Sequence, residues 1–362
     1  MGKDSAYYIS LAQKRRKDTD TLKYLLPQYA HGFVDECLLK YQLSTVFNYT
    51  QDIYFFYRFL KENNPLCKNF EIKDIPFEVI ENLSHQDINE FQVYIAKGHK
   101  PTSKGIKPAE DRAIARKMAA LRRFYKYLLD NDYLRVDPTL KAVKKSKTEP
   151  KKKEIRRLRP DQVMSLMDSV KSVNSESYHS RVMSEVTAKR DLAIITLLLN
   201  TGIRVSECAG LDLTDIDFEE NKLAIVRKGG YEDHLYFKKG VKDALTDYID
   251  NERPSLLNGE KSEALFISLK HCRMSVRSIQ YMIAKYGKNT GLSEKLTPHK
   301  LRRTYGTALY NKTGDIYMVA DVLGHKDVNT TINHYVDIEE EHKKKASNVD
   351  IYGMDDDVNK SN

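Results

Sequence analysis

The sequence predicts a mainly α protein with a small antiparallel β-sheet, divided into two domains. Three observations carry this. Apolar residues recur at helical spacing through most of the first half, strand chemistry is confined to two short runs flanking a glycine turn, and a strongly basic stretch with little to bury separates the halves. At 362 residues the chain is long enough for two hydrophobic cores.

In the first half, residues 44–63 form a helix rich in Tyr and Phe. Ser84, with Asp87 three residues on, has the spacing of a capping box and opens another helix. The clearest helix runs over residues 108–131, where Pro108 suits the first turn and Ile114, Met118, Leu121, Tyr125 and Leu128 share a face. Arg112, Arg116 and Arg123 lie on the opposite face. Together these elements predict a small helical bundle. Residues 141–160 read KAVKKSKTEPKKKEIRRLRP, ten basic residues against two glutamates, and mark the break between domains. The expected boundaries are a helical domain over 1–145, a basic linker over 146–158, a second domain over 159–347 and a flexible acidic tail over 348–362, which is too poor in apolar residues to pack firmly.

The second half opens with a helix at about residues 159–170, followed by a polar stretch, 171–187, read as an exposed loop. An apolar helix over 191–200 breaks at Thr201-Gly202. Residues 222–227 and 233–237 are the strands, and KGGYE between them is turn chemistry. Further on, Thr297 is an N-cap, Pro298 a first-turn proline and Gly314 a stop. Asp315 caps the next helix, whose apolar stripe of Ile316, Val319, Ala320 and Leu323 ends at Gly324. A second short helix, opened by Asn329-Thr330-Thr331, carries Tyr335.

Charge points to the class of partner. Lys plus Arg number 60 against 51 Asp plus Glu, a formal excess of +9, so a polyanion is favoured, either nucleic acid or an acidic membrane surface. The longest apolar run, residues 192–199, is far short of the roughly 20 residues that cross a bilayer, which excludes a membrane-spanning chain. Neither terminus shows an amphipathic basic helix for lying on lipid. The four cysteines, Cys37, Cys67, Cys208 and Cys272, are scattered with no CxxC pair, and the start MGKDSAYY has no apolar signal region. A cytoplasmic protein without structural zinc is expected.

Several residues have the chemistry to handle a phosphodiester. His299 and Arg302, three apart, share a helix face near its N-terminus, where phosphate is attracted; a guanidinium there binds by a planar fork and an imidazole can move a proton. Taken alone, the segment also reads as a solvated basic helix end. His325 follows Gly324 directly. Tyr335 is one of 23 tyrosines, most of which pack or make surface hydrogen bonds, but a tyrosine nucleophile forms a phosphodiester that keeps the energy of the broken bond. Arg204, in LLLNTGIRVSE, sits just past a glycine turn, with a surface salt bridge to Glu207 as its bland reading. Lys228, at the hairpin tip, is either a general acid or a solvated lysine.

The motifs TGIRVSE, RKGG, TPHKLRRT and LGHKD, with Tyr335 after them, resemble the tyrosine recombinases of the phage-integrase family over residues 159–335. The helical first half is similar to the family's SAM-like core-binding DNA-binding domain. Arg303 stands where many members carry a second histidine. The RKGG hairpin, the polar insertion and the stretch DIPFEVIENLSHQDINEF look closest to Xer-type enzymes that act alone on a chromosomal site. Integrases and excisionases of phages and conjugative transposons are the competing relatives. The resemblance implies a core-binding domain joined to a tyrosine-recombinase catalytic domain, and a metal- and ATP-independent reaction with no cofactor.

By the same resemblance, Tyr335 is the nucleophile, giving an O-(3′-phospho-DNA)-tyrosine intermediate. Arg204 and Arg302 clamp the scissile phosphate, Lys228 protonates the leaving 5′-oxygen, His299 assists proton transfer at the tyrosine and His325 hydrogen-bonds the phosphate. Its partners would be duplex DNA with paired half-sites, three further protomers in a homotetramer on two sites, and an accessory translocase or excisionase. Residues 336–347 would pack on a neighbouring protomer, and Arg112, Arg116 and Arg123 would face the grooves or phosphates. Two other classes compete: a non-catalytic DNA-binding protein, which has no need of all six site residues, and a type IB topoisomerase, which exchanges no partners.

Overall fold

The computed structural model describes residues 5–98, 101–102, 105–106, 108–143, 157–172, 185–227, 230–290, 295–325 and 327–328. Two units account for the contacts, Ala6–Glu149 and, after it, Pro150–Asn362. The described elements are mainly helical with a small antiparallel sheet.

The first unit is a bundle of helices α1 (Ala6–Tyr24), α2 (His31–Lys40), α3 (Leu43–Asn63), α4 (Phe77–Glu81), α5 (His85–Lys97) and α6 (Asp111–Asp130), with a two-residue hairpin, β1 (Pro101–Thr102) and β2 (Gly105–Ile106), between α5 and α6. Val46, Ile53, Phe56, Tyr57 and Leu60 line the buried stripe of α3, and Met118, Leu121, Phe124, Tyr125 and Leu128 that of α6. Edge-to-face rings join the stripes to their neighbours, as in Phe33 to Phe124 at 5.3 Å and Phe56 to Phe91 at 5.0 Å. Ser84 caps α5 as expected: its backbone N–H donates to Asp87 Oδ2 at 2.7 Å, and the Asp87 N–H donates back to Ser84 Oγ. Pro108, expected in the first turn of the long helix, lies outside it. The Ala109 N–H donates to the Ala96 carbonyl at 3.1 Å, which keeps the chain extended past the proline, and the helix starts at Asp111.

In the second unit, helix α8 (Ala188–Thr201) is buried nearly all round, through Ala193, Ile194, Ile195, Leu197 and Leu198. Around it pack α7 (Pro160–Lys171), α10 (Lys239–Asn251) and α13 (Pro298–Thr313). The short α9 (Val205–Gly210) follows α8 directly, α11 (Arg253–Leu257) follows α10, α12 (Val276–Asn289) packs on α7 and α9, and α14 (Ile316–Val322) packs on α13. The sheet has the order β3 (Ile216–Asp217), β4 (Lys222–Val226), β5 (Glu232–Tyr236), all antiparallel. Leu223 and Ile225 alternate inward on β4, and Leu235 faces the same core from β5. Both long strands stop or start one residue earlier than the sequence pattern indicates, because Arg227 leaves the ladder to close the turn. Its N–H donates to the Tyr231 carbonyl at 2.7 Å. No helix among the described residues is long and apolar enough to cross a membrane.

Candidate active site

Two left-handed glycines and one helix N-terminus bring the site together. Helix α8 ends at Gly202, φ +62°, where a Cβ would lie 2.5 Å from Tyr305 Cδ1 and 2.8 Å from Leu323 Cδ2. Only a glycine allows that approach. Burial pushes the Tyr305 phenol above its usual range, so the ring packs here in its neutral form. The chain turns at Gly202 and places Arg204 as N-cap of α9. The Arg204 N–H donates to Glu207 Oε2 and its guanidinium to Glu207 Oε1, both at 2.9 Å. Glu207 itself is buried, so this ion pair holds the guanidinium at the surface of the unit with 28% of the side chain exposed.

At the other end, α14 finishes in a Schellman motif. The Gly324 N–H donates to the Asp321 carbonyl at 2.7 Å and the His325 N–H to the Ala320 carbonyl at 2.9 Å, with Gly324 at φ +59°. This fixes the backbone of His325, whose residue is half-buried. The carbonyls left over at the helix end are each met by an arginine. Arg227 Nη2 donates to Val322 O at 2.8 Å, Arg302 Nη2 to Leu323 O, and Arg204 Nη2 to Gly324 O at 2.8 Å. Guanidinium groups suit this position, because the last carbonyls of a helix are unpaired and carry the negative end of its dipole.

Arg302, 5% exposed, reaches that turn from the second turn of α13, and its Nη1 also donates to Gly202 O. One fork therefore joins the turn before Arg204 to the turn before His325. Thr297 caps α13, its side chain accepting from the Lys300 N–H, and His299 stands exposed in the first turn. Arg303, where the family resemblance anticipates histidine in many members, is half-buried.

Arg204, Arg302 and His325 thus meet at one place, with His299 one turn before Arg302. Lys228 and Tyr335 lie outside the described residues; Lys228 directly follows Arg227 in the chain. Sequence reasoning missed Arg227, which reads as a solvated hairpin cation, and saw Glu207 only as a surface partner. Its position three residues after an N-cap is the capping-box signal that marks it. Among the described residues, no three His, Cys, Asp or Glu side chains gather as a metal-ligand set. In the first unit, Arg112 is exposed, Arg116 pairs with the buried Asp52, which Lys117 also reaches at 2.9 Å, and Arg123 pairs with Glu36 at 2.6 Å. The Arg123 side chain is only 16% exposed.

The glycines give a direct check. Gly202 and Gly314 are both left-handed helix ends, φ +62° and +67°, but a Cβ at Gly314 meets nothing within 4 Å. Both alanine variants carry the left-handed cost of about 1–2 kcal/mol, and Gly202→Ala adds an overpacking cost of about 1–3 kcal/mol. Thermal melting is expected to fall clearly further for Gly202→Ala than for Gly314→Ala, and equal losses would refute the close approach.

The phage integrase family model matches residues 156–342. Tyrosine recombinases named XerS from Streptococcus pneumoniae are 28% identical over 349 residues, covering 90% of this chain and 96% of the relative. Among solved structures, the XerH site-specific recombinase bound to palindromic difH substrate aligns over 84% of this chain and 80% of its own, at 19% identity and a TM-score of 0.62. The Tn1549 transposon integrase in complex with circular intermediate DNA covers 84% of this chain and 94% of its own, at 21% identity and a TM-score of 0.58. The family match takes in more than half of the sequence, and the chain belongs to the phage integrase family, the tyrosine recombinases, which cut and rejoin DNA at specific sites.

Proposed function

We propose that this recombinase exchanges DNA strands through a 3′-phosphotyrosyl intermediate on Tyr335, and that its task is Xer-type resolution of chromosome dimers at a dif-like site. The observation that carries the chemistry is the convergence of Arg204, Arg302 and His325 on the turn after α14. The XerS relatives support the task.

In this mechanism Arg204 and Arg302 offer donors to the non-bridging oxygens and stabilise the charge that grows on the pentacoordinate phosphorus. Both are anchored by protein contacts, so little reorganisation is needed as the charge develops. The Tyr335 oxygen bonds to phosphorus while the bond to the 5′-oxygen breaks. His299 assists removal of the phenol proton, Lys228 gives a proton to the leaving 5′-oxygen and His325 donates to the phosphate. Attack by a 5′-hydroxyl of the partner duplex reverses these steps and joins the new strand. Phosphoryl transfer to and from an oxygen of the chain neither consumes ATP nor changes the number of phosphodiester bonds.

Residues 1–145 serve as the core-binding domain, 146–158 as the basic linker along the duplex, 159–347 as the catalytic domain and 348–362 as a tail. Four protomers act on two sites in the bacterial cytoplasm, with residues 336–347 packing between protomers and an accessory translocase setting the order of exchange.

Incubating the purified chain with a nicked suicide duplex tests the reaction. The duplex carries a site recovered from genomic fragments that the chain binds. A denaturation-resistant protein–DNA adduct in the presence of EDTA is expected, and no adduct on any bound site would sink the proposal. Salt titration of binding tests the DNA face. Arg112→Ala should reduce the slope of log K against log salt by about 1, while Arg123→Ala, whose charge is already neutralised by Glu36, should leave it unchanged. An unchanged slope in both variants would move the DNA face off α6, and a change in Arg123→Ala alone would move it to the Arg123 side of that helix.

A further inference from the structure

The geometry points to Arg227 as a positioning residue for strand cleavage, one that sets the hairpin stem, Arg204 and the His325 turn relative to one another. This rests on the reading of Arg204, Lys228 and His325 as the cleavage machinery.

An arginine beside a glycine turn is ordinarily solvated, yet this one is 8% exposed. Its three guanidinium nitrogens reach three separate elements. Nε donates to Asp233 Oδ2 across the hairpin at 2.8 Å, Nη1 pairs with Glu207 Oε2 at 3.4 Å, and Nη2 donates to Val322 O at 2.8 Å. The backbone of Arg227 closes the turn that contains Lys228, accepting from the Gly230 N–H at 2.9 Å and donating to Tyr231 O at 2.7 Å. Glu207 is the same carboxylate that holds Arg204. Val322 O lies two residues before Gly324 and three before His325. One planar cation therefore touches the supports of three groups that the reaction uses, Arg204, Lys228 and His325, and it acts through them.

Gly324 has the complementary shape. A Cβ there would sit 2.8 Å from Arg227 Nε and 2.9 Å from Cζ, so the guanidinium occupies the space that a side chain would fill. Burying a charged group in such a network adds little net stability, since well-packed apolar residues often serve a fold as well; what the fork supplies is fixed geometry. A lysine has one nitrogen and cannot span acceptors on three elements.

The test separates cleavage from binding. On the nicked suicide duplex, the first-order rate of adduct formation is measured at saturating protein, and Kd is measured at fixed salt. Arg227→Gln is expected to lower the rate about 100-fold and Kd less than about threefold, with Arg227→Lys recovering only a small part of the rate. Gly324→Ala should slow cleavage by displacing the same guanidinium, in addition to the left-handed strain that alanine carries at φ +59°. The double variant Arg227→Gln/Gly324→Ala should then be little worse than the slower single variant, because the two changes disturb one contact. Should Arg227→Gln lose its melting transition, Arg227→Lys, which keeps the charge opposite Glu207, makes the same comparison with Gly324→Ala. Cleavage within about threefold of the unmodified chain, losses that multiply in the double variant, or equal loss of binding and cleavage would each overturn the assignment. If the unmodified chain forms no adduct, the reaction itself has been misread; if it does and Arg227→Gln cleaves at full rate, only the role of Arg227 fails.

Discussion

Tyr335→Phe should abolish the covalent adduct and leave DNA binding intact. The change removes one oxygen and no charge, so the electrostatic grip on the duplex is untouched while the only group proposed to bond to phosphorus is lost. A fall of at least about 10⁴-fold in adduct formation is expected, the scale seen when a nucleophile is deleted from a site whose other groups remain. Chemistry favours a tyrosine for this task. With a pKa near 10, phenolate leaves phosphorus far more readily than the alkoxide of a sugar hydroxyl, so the joining step runs without an external energy source. The readout is a denaturing gel of labelled nicked duplex in EDTA, with gel-shift binding run in parallel. Tyr317, 71% exposed on α14, and Tyr352 are the alternative nucleophiles. An adduct that persists in Tyr335→Phe and disappears in Tyr317→Phe would reassign the reaction.

The parts of this site that were legible in the sequence are those built by local rules. Thr297-Pro298 opens α13, the three-residue spacing puts His299 and Arg302 on one side of its first turns, and Gly202 and Gly324 end their helices in the left-handed region. Capping and periodicity act within a few residues, so they leave a mark in a short window. The meeting of the arginines does not. Arg204, Arg227 and Arg302 reach the carbonyls of residues 322–324 across separations of 120, 95 and 21 residues, and no local pattern encodes which carbonyl a distant guanidinium will find. Arg227 illustrates the loss: beside a glycine turn it looks like any solvated cation, and only the burial of Glu207 and the end of α14 reveal its role. Pro108 failed in the opposite direction. Its local preference for a first helical turn was overridden by a single backbone hydrogen bond from Ala109 to the end of α5. The two-residue strand β3 is too short to carry a period at all.

Arg302→Lys should reduce cleavage about 10²- to 10³-fold, change duplex affinity by less than about threefold and lower the melting temperature by several degrees. The double effect follows from where the residue sits. With 5% of its surface exposed, Arg302 holds Gly202 O with one nitrogen and Leu323 O with the other. A lysine keeps the charge and meets one of these carbonyls, leaving the other buried without its donor at a cost of about 1–3 kcal/mol. The turn that carries Arg204 and the turn that carries His325 then lose one of the contacts that join them, and the guanidinium proposed to donate to the phosphate is lost with it. Affinity spread over many phosphates would scarcely depend on this one cation, whereas the proposed reaction concentrates its charge at the single phosphate assigned to Arg302. Rate at saturating protein, Kd and thermal melting, measured on the same preparation, separate the two effects. A drop in melting temperature with cleavage intact would make Arg302 a structural strut alone, and a proportional loss of binding and cleavage would place its charge on the duplex at large.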